Sequence, residues 1–465
     1  MSQSARSRSD VRLNARSLPL FALFAALASA VCAADVTVRL QDEIDAAFRA
    51  GGGTVTVEPG EWAVRGLRLR SNVTLLLKAG AVLKASRNCD DFDVLRNDAV
   101  EPLSEEEKTG WPEWLPVEKR PKGRHGTLNA CSRWNRGIIT VYRAHDVRIV
   151  GEKGAVIDGC NSFDPKGEEG FRGVHGIVAR DSERVSLEGF ELRRTGNWAT
   201  RFFCCRDVSF RHLTVIGGHD GVHVRRCDRV TVDGCTLHCG DDCIAGFDNR
   251  DVTVENCDLN TACSAFRFGG RHVRIRNCRA WGPGLWPIRN SLPMEDRAAG
   301  NDCQGKGRHS LLSFFTYFAD LSHGGLRFEQ GDIVIENCTV EGAQRLLHYN
   351  FSGNERWQKG GPLADIAFRN CRATEIEMSL CAYGAKERPL SLTLENCDIA
   401  FKAPVAELVR GAWVEKLDVR NVRADNVRGP LQRSWGGETS LRVEKLSGVS
   451  AEAVQAEAPF KTRGI

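Results

Sequence analysis

Carboxylates gather in one stretch of the chain, GGHDGVHVRRCDRVTVDGCTLHCGDDC at 217–243, where Asp220 precedes the pair Asp241-Asp242 by 21 residues. Acids at that interval do chemistry together only if the fold closes the gap between them. A carboxyl that holds a proton beside one that is ionised is the equipment of glycoside hydrolysis: the first protonates the leaving oxygen and the second activates water. A calcium site or a solvated row of acids would use the same residues. A zinc site from His238, Cys239 and Cys243 suits the stretch less well, because alternating strand geometry sends those side chains apart.

The elements that must carry these residues repeat. The windows VSLEGFEL (185–192), VSFRHLTV (208–215), VTVDGCTL (230–237), VTVENCDL (252–259) and VRIRNCRA (273–280) follow one another at steps of 23, 22, 22 and 21 residues. The pattern resumes in IVIENCTV (333–340), IAFRNCRA (366–373), LTLENCDI (392–399) and LDVRNVRA (417–424), and VRIVGEKG at 147 is an earlier copy. Each copy alternates apolar and polar residues and ends in a turn-forming residue, the signature of a short strand. A strand repeat of this length with no helical period inside it predicts an all-β parallel β-helix. The recurring Asn-Cys pairs at 256–257, 277–278, 337–338, 370–371 and 396–397 then stack coil on coil, each Asn at a turn and each Cys as a small inward filler.

In such a solenoid, positions one period apart are neighbours at about 4.8 Å. Asp220 then lies beside Asp241-Asp242, with Trp198 one coil before as a stacking platform for a sugar ring and Ser264 one coil after. An outward row runs through Arg201, His223, Ala245 and Arg267. The copies SAFRFGGRHVRIRNC (264–278) and GGLRFEQGDIVIENC (324–338) superpose without gaps and put Arg327 in line with Arg267. Arginines in one exposed row suit an anionic ligand, since the guanidinium fork matches a carboxylate; pairing to local acids is the plainer alternative.

The whole chain fits an exported enzyme of this shape. Arg6, Arg8, Arg12 and Arg16 precede an apolar run from Leu18 to Ala30 and small residues before Ala34, so residues 1–33 read as a signal peptide and 34–465 as one β-helical domain. A lipid attachment at Cys32 is the alternative for that segment. The expected location is secreted or periplasmic, with no membrane association after cleavage. The formal charge of +4 falls to about +1 without the leader, which argues against a nucleic-acid partner. Cysteines number 18, or 17 without Cys32, too many and too odd for a disulfide framework. LQDEIDAAF (40–48) is a candidate cap for the N-terminal mouth, and the tail after Val449 for the other. Two insertions, about 86–135 and 281–323, hold Trp111, Trp114 and Trp134, then Trp281, Trp286, Phe314, Phe315, Tyr317 and Phe318, as walls for a binding groove.

These residues resemble the polygalacturonase-type pectinases of glycoside hydrolase family 28, which are right-handed parallel β-helices. The likeness starts at GGGTVTVEPG and runs through VRIVGEKGAVIDG and NWATRFFCCRDVSFRHLTV into the acidic coils. The family carries Asn-Thr-Asp, then Gly/Gln-Asp-Asp, Gly-His-Gly and Arg-Ile-Lys. Here GHD (218–220) keeps the first aspartate and Gly240-Asp241-Asp242 is intact. Ser264 stands where the family has histidine, and PIR (287–289) offers Arg289 where it has Arg-Ile-Lys. The resemblance implies Asp241 as general acid and Asp220 and Asp242 as water activators in an inverting reaction; the rows and the altered motifs together make His223, Arg267, Arg289, Arg327, Trp198 and Ser264 the substrate-binding candidates. It implies a monomer acting on an acidic polysaccharide or oligosaccharide with no cofactor and no metal. A β-helical polysaccharide lyase, with Arg267 as base and the acids on calcium, is the nearest rival. A non-catalytic carbohydrate-binding or adhesin solenoid is the other.

Overall fold

The computed structural model describes residues 36–93, 133–165, 171–299, 305–319, 326–349 and 361–456. The segment 1–33 and the tryptophans Trp111 and Trp114 lie outside the described residues.

Each strand pairs in parallel with the strand one coil away. Val147, Val185, Val208, Val230, Val252 and Val273 are successive rungs, and the ladder continues through Ile333, Ile366, Leu392 and Leu417. These are the starting positions of the repeated windows, so the sequence period and the coil are the same thing. A flanking ladder precedes each window, through His175–Arg180, Thr200–Phe203 and Val222–Arg225. A third follows it, through Glu191–Arg193, Thr214–Gly217, Thr236–Cys239 and Asp258–Thr261. Together they form a parallel β-helix, which among the described residues has 31 strands in one wound sheet with a four-stranded sheet among the C-terminal coils.

Alternation does the folding work. In the window ladder, strands such as Leu390–Glu395 alternate buried and half-buried residues, and the buried set fills one continuous core. Each Val, Ile or Leu so buried contributes about 1.5–3 kcal/mol. The corner within each window is made by Asn256, Asn277, Asn337, Asn370, Asn396 and Asn421, all in the left-handed region at φ 51–57°. Their side-chain amides bond rung to rung, from Asn277 to Asn256 at 3.4 Å up to Asn421 to Asn396 at 2.9 Å. Inside the corner Cys235, Cys257, Cys278, Cys338, Cys371 and Cys397 stack as free, buried thiols.

A helix over 36–49 closes the N-terminal mouth. Leu40 and Ile44 are fully buried under it. Gln41 exchanges hydrogen bonds with the Arg68 main chain at 2.8 and 3.0 Å, which satisfies a strand edge that would otherwise template aggregation. At the other end Ser450–Gln455 is a strand, paired with Pro430–Trp435.

The structure corrects two expectations. The second insertion ends earlier, because Leu311–Tyr317 is a rung of the flanking ladder, with Phe266 opposite Phe315. Phe314, Phe315 and Tyr317 are core residues and wall no groove. The gap-free superposition also fails upstream of the window. In the window ladder Arg271 faces Gly331, an offset of 60 residues, whereas in the flanking ladder Arg267 faces Thr316, an offset of 49. Fourteen positions separate Tyr317 from Gly331, so Arg327 falls between the two rungs, out of line with Arg267.

Candidate active site

The acids sit where the third ladder turns into the flanking ladder. Because Val222 faces Ile244, Asp220 faces Asp242, and hydrogen bonds across the turn confirm the rung. The Gly221 N–H donates to the Asp242 carbonyl at 3.0 Å, and the Ala199 N–H to the Asp220 carbonyl at 2.8 Å. The Cys243 N–H reaches the Ser264 carbonyl at 3.0 Å. One row thus runs His175, Trp198, Asp220, Asp242, Ser264, Ser313, Arg345. Three residues on, an outward row runs Arg201, His223, Ala245, Arg267, Thr316, His348. Trp198 and Ser264 occupy the expected rungs, and so does the row from Arg201 to Arg267, but the row is not an exposed one: Arg201 is buried and bonded to Asn135.

Burial sets the electrostatics. Asp220 is 4% exposed and its carboxyl is pushed well above the usual carboxylate range, first by burial and then by Asp241 and Asp242. Asp242 is pushed up to about 6 by burial and by Asp241, against the pull of Arg267 and the Ser264 N–H, which donates to its Oδ1 at 3.1 Å. Like charges this close cannot all ionise cheaply, so the cluster retains a proton into the neutral range. Asp241 is more open and has Arg172 Nη1 at 3.7 Å from its Oδ2.

Two of the expected ligand contacts are already used within the protein. His223 Nδ1 lies 2.8 Å from Asp220 Oδ2, and its ring stacks on Trp198 at 3.8 Å with an interplanar angle of 4°. One face of Trp198 is thereby covered, and Trp134 stands 5.7 Å from it on a tilt. Arg327 is a structural residue, its guanidinium on Asp228 Oδ1 at 3.1 Å and Asp248 Oδ2 at 3.4 Å. Arg289 is buried and packs its guanidinium 5.0 Å from the Phe163 ring. The loop that carries it presses on the acid coil: a β-carbon at Gly240 would stand 2.1 Å from the Pro287 carbonyl oxygen. Arg267 lies over Phe318 at 4.5 Å and reaches both Asp220 and Asp242 electrostatically.

Sequence reasoning missed Arg172, Ser313, Thr316, Arg345 and His348. Arg172 belongs to a short antiparallel excursion, Phe163 opposite Gly173, that has no counterpart in the repeat. The others follow the second insertion, where counting by period fails. Hydroxyls link the late rungs, with Thr316 Oγ1 at 2.5 Å from Ser313 Oγ and 3.3 Å from Ser264 Oγ.

Among the described residues, Asp241, Asp242 and Cys263 offer ligand atoms within 4.8 Å of one another. The set suits a cation poorly. Burial and the two aspartates push the Cys263 thiol up, which keeps it protonated, and Arg172 and Arg267 bring positive charge to the same cluster. The arrangement brings three carboxyls together with two guanidinium groups, Arg172 and Arg267, beside them.

Comparison with known proteins agrees with this architecture. Residues 173–281, which hold the acidic coils, match the family described as right handed beta helix region. A probable polygalacturonase of Vitis vinifera is 22% identical over 210 residues, 42% of this chain; the match spans 37% of that relative's length. Among solved structures, a hyperthermoactive exopolygalacturonase from Thermotoga maritima aligns with a TM-score of 0.53 at 14% identity, covering 82% of this chain and 86% of that one. A family 28 exopolygalacturonase from Yersinia enterocolitica aligns at 0.51 and 14%, covering 89% of this chain and 76% of that one. At these identities the likeness speaks to fold, and the fold is the right-handed parallel β-helix. Among the described residues no helix is long and apolar enough to cross a membrane.

Proposed function

We propose that this chain is an exported glycoside hydrolase that cleaves O-glycosidic bonds in an acidic, pectin-like polysaccharide with inversion at the anomeric carbon. One observation carries the reading: Asp220 and Asp242 occupy adjacent rungs with Asp241 beside them, and burial with the neighbouring acids pushes the Asp220 and Asp242 carboxyls up. A scaffold gains nothing from such a cluster, whereas hydrolysis requires a proton donor and a proton acceptor at one bond. The polygalacturonases it is similar to suggest the substrate class, and the guanidinium groups of Arg172 and Arg267 beside the acids suit a uronate carboxylate.

In this reading Asp241 is the general acid. As the glycosidic C–O bond breaks, its proton passes to the leaving oxygen. Water attacks the anomeric carbon from the opposite face and gives its proton to Asp220 or Asp242. Ser264, at the rung after Asp242, and Arg267 hold the substrate. Digestion of a panel of acidic glycans with product analysis tests the proposal. NMR during early turnover should show the anomer opposite to the bond cleaved. Retention rejects the inverting mechanism, and an unsaturated, ultraviolet-absorbing product whose formation a chelator abolishes marks a lyase instead. Binding without turnover on every glycan marks a non-catalytic solenoid. N-terminal sequencing of the exported protein should find Ala34 first; an intact Met1 refutes the export step.

A further inference from the structure

His223 is the one residue of the outward row whose ring is fixed on two sides by the acid row. Its Nδ1 is 2.8 Å from Asp220 Oδ2, and its plane lies flat on Trp198 at 3.8 Å. A residue that only filled space would have no need of that orientation. The ring is neutral: burial lowers its basicity, and so do Arg201, Arg225 and Arg267 together with His175. A neutral imidazole has one N–H, and once Asp220 is ionised that hydrogen belongs on Nδ1 opposite it. We infer that His223 is the positioning residue for Asp220, donating Nδ1–H to Oδ2 so that the ionised form of this carboxyl is favoured and its second oxygen is aimed at the attacking water.

The need is specific to this site. Asp220 faces Asp241 and Asp242, which disfavour its ionised form, and Arg172 and Arg267, which favour it. Those cations are the same groups proposed to hold a substrate carboxylate, so a bound uronate weakens their help. A hydrogen bond from a neutral donor keeps acting when the anion is bound. Trp198 one rung before fixes the ring plane, and Ala245 one rung after leaves it room.

The inference rests on the hydrolase reading for its purpose, but the bond can be tested without substrate. Carboxyl 13C NMR on the full chain, assigned with Asp220→Asn, gives the Asp220 titration midpoint in the parent, His223→Asn and His223→Gln. Asparagine places its amide nitrogen near Nδ1 and should leave the midpoint within a few tenths of the parent. Glutamine keeps size and polarity but carries its amide one bond further out. Its midpoint should rise by about one to two pH units, the worth of one hydrogen bond to a charged group. If the two variants titrate together, the positioning role is wrong, whatever the enzyme turns over. On a glycan the parent cleaves, the acidic limb of kcat/KM should shift upward by the same amount in His223→Gln only; an unmoved limb beside a moved midpoint overturns the role in water activation.

Discussion

The Asn–Cys corner and the acid-bearing face are built from the same coils by opposite rules. At the corner one residue type serves rung after rung. Every asparagine takes the same left-handed backbone, and its amide finds an acceptor one rung away. On the face the row reads His175, Trp198, Asp220, Asp242, Ser264, Ser313, Arg345, with no type repeated except aspartate and serine. Corner-side strands alternate buried and half-buried residues, whereas Thr200–Phe203 and Leu311–Tyr317 are buried on both sides. The face also tolerates polar groups the corner would not: His348 is 3% exposed with neither ring nitrogen hydrogen-bonded. Repetition holds a solenoid together, and the stretch where repetition is abandoned against its own energetics is where chemistry belongs.

The largest expected effect separates the two regions by activity. Asp220→Asn, Asp241→Asn and Asp242→Asn should each lower turnover by about two to four orders of magnitude, the usual worth of a general acid or base. None should lower the melting temperature, because each removes a charge from a crowded cluster. Full activity in Asp241→Asn would break the comparison outright, since the face would then be as inert as the corner.

The core should respond in the reverse sense. Ile335, fully buried in the window ladder, contributes packing alone. Ile335→Ala should cost about 2–5 kcal/mol through the cavity it leaves. Urea unfolding reads the loss, and kcat/KM at a temperature where the variant is folded should match the parent.

This division also explains what could be read from the sequence. The window ladder was legible because Val, Ile and Leu recur at each rung with turn residues behind them. Asp220 and Asp242 were legible because no insertion lies between them, so the period converts directly into a rung. Arg327 was misplaced because strand spacing differs between two ladders after 281, and a sequence shows only one spacing at a time. Arg172 belongs to an excursion outside the period, so no count could bring it to Asp241. The His223–Asp220 bond was hidden for another reason. The row told which way the imidazole points, but a side-chain torsion decides whether it meets solvent or its neighbour.

A third prediction uses pH. Asp242 moves from its ordinary value of 3.8 to about 6 in the folded chain. A carboxyl raised on folding binds a proton more tightly in the native state, so stability falls as pH rises from about 4 to about 6 and levels off above. His348 acts the other way: burial first, then Arg345 and Arg267, push it from 6.5 down to about 3, so its contribution is lost as pH falls through that window. Asp242→Asn deletes the Asp242 share of the first slope and leaves the second. The variant should gain stability over the parent at pH 7, by up to about 3 kcal/mol for two pKa units, and gain little at pH 4. Equal gains at both pH values would show that the cluster is not strained by charge.

The smallest effect is at the corner, where backbone and side-chain contributions can be separated. Asn337 is exposed, has φ 55°, donates to Asn277 at 3.4 Å and accepts from Asn370 at 3.1 Å. Asn337→Ala loses both ladder bonds and leaves in the left-handed region a side chain without the local hydrogen bonding that lets asparagine adopt it, which disfavours the variant by roughly 1–2 kcal/mol. Asn337→Gly loses the same bonds but accepts that backbone freely. Exposed amide ladders compete with water, so the bonds alone should be worth about 0.5–1 kcal/mol. The glycine variant should therefore unfold between the parent and the alanine variant in urea, with unchanged slope. If alanine proves as stable as glycine, the corner is held by its amide ladder and not by its backbone, and the asparagines repeat for a reason other than the turn. Neither variant should alter kcat/KM, because the acid rungs are set by ladder hydrogen bonds on another face of the coil.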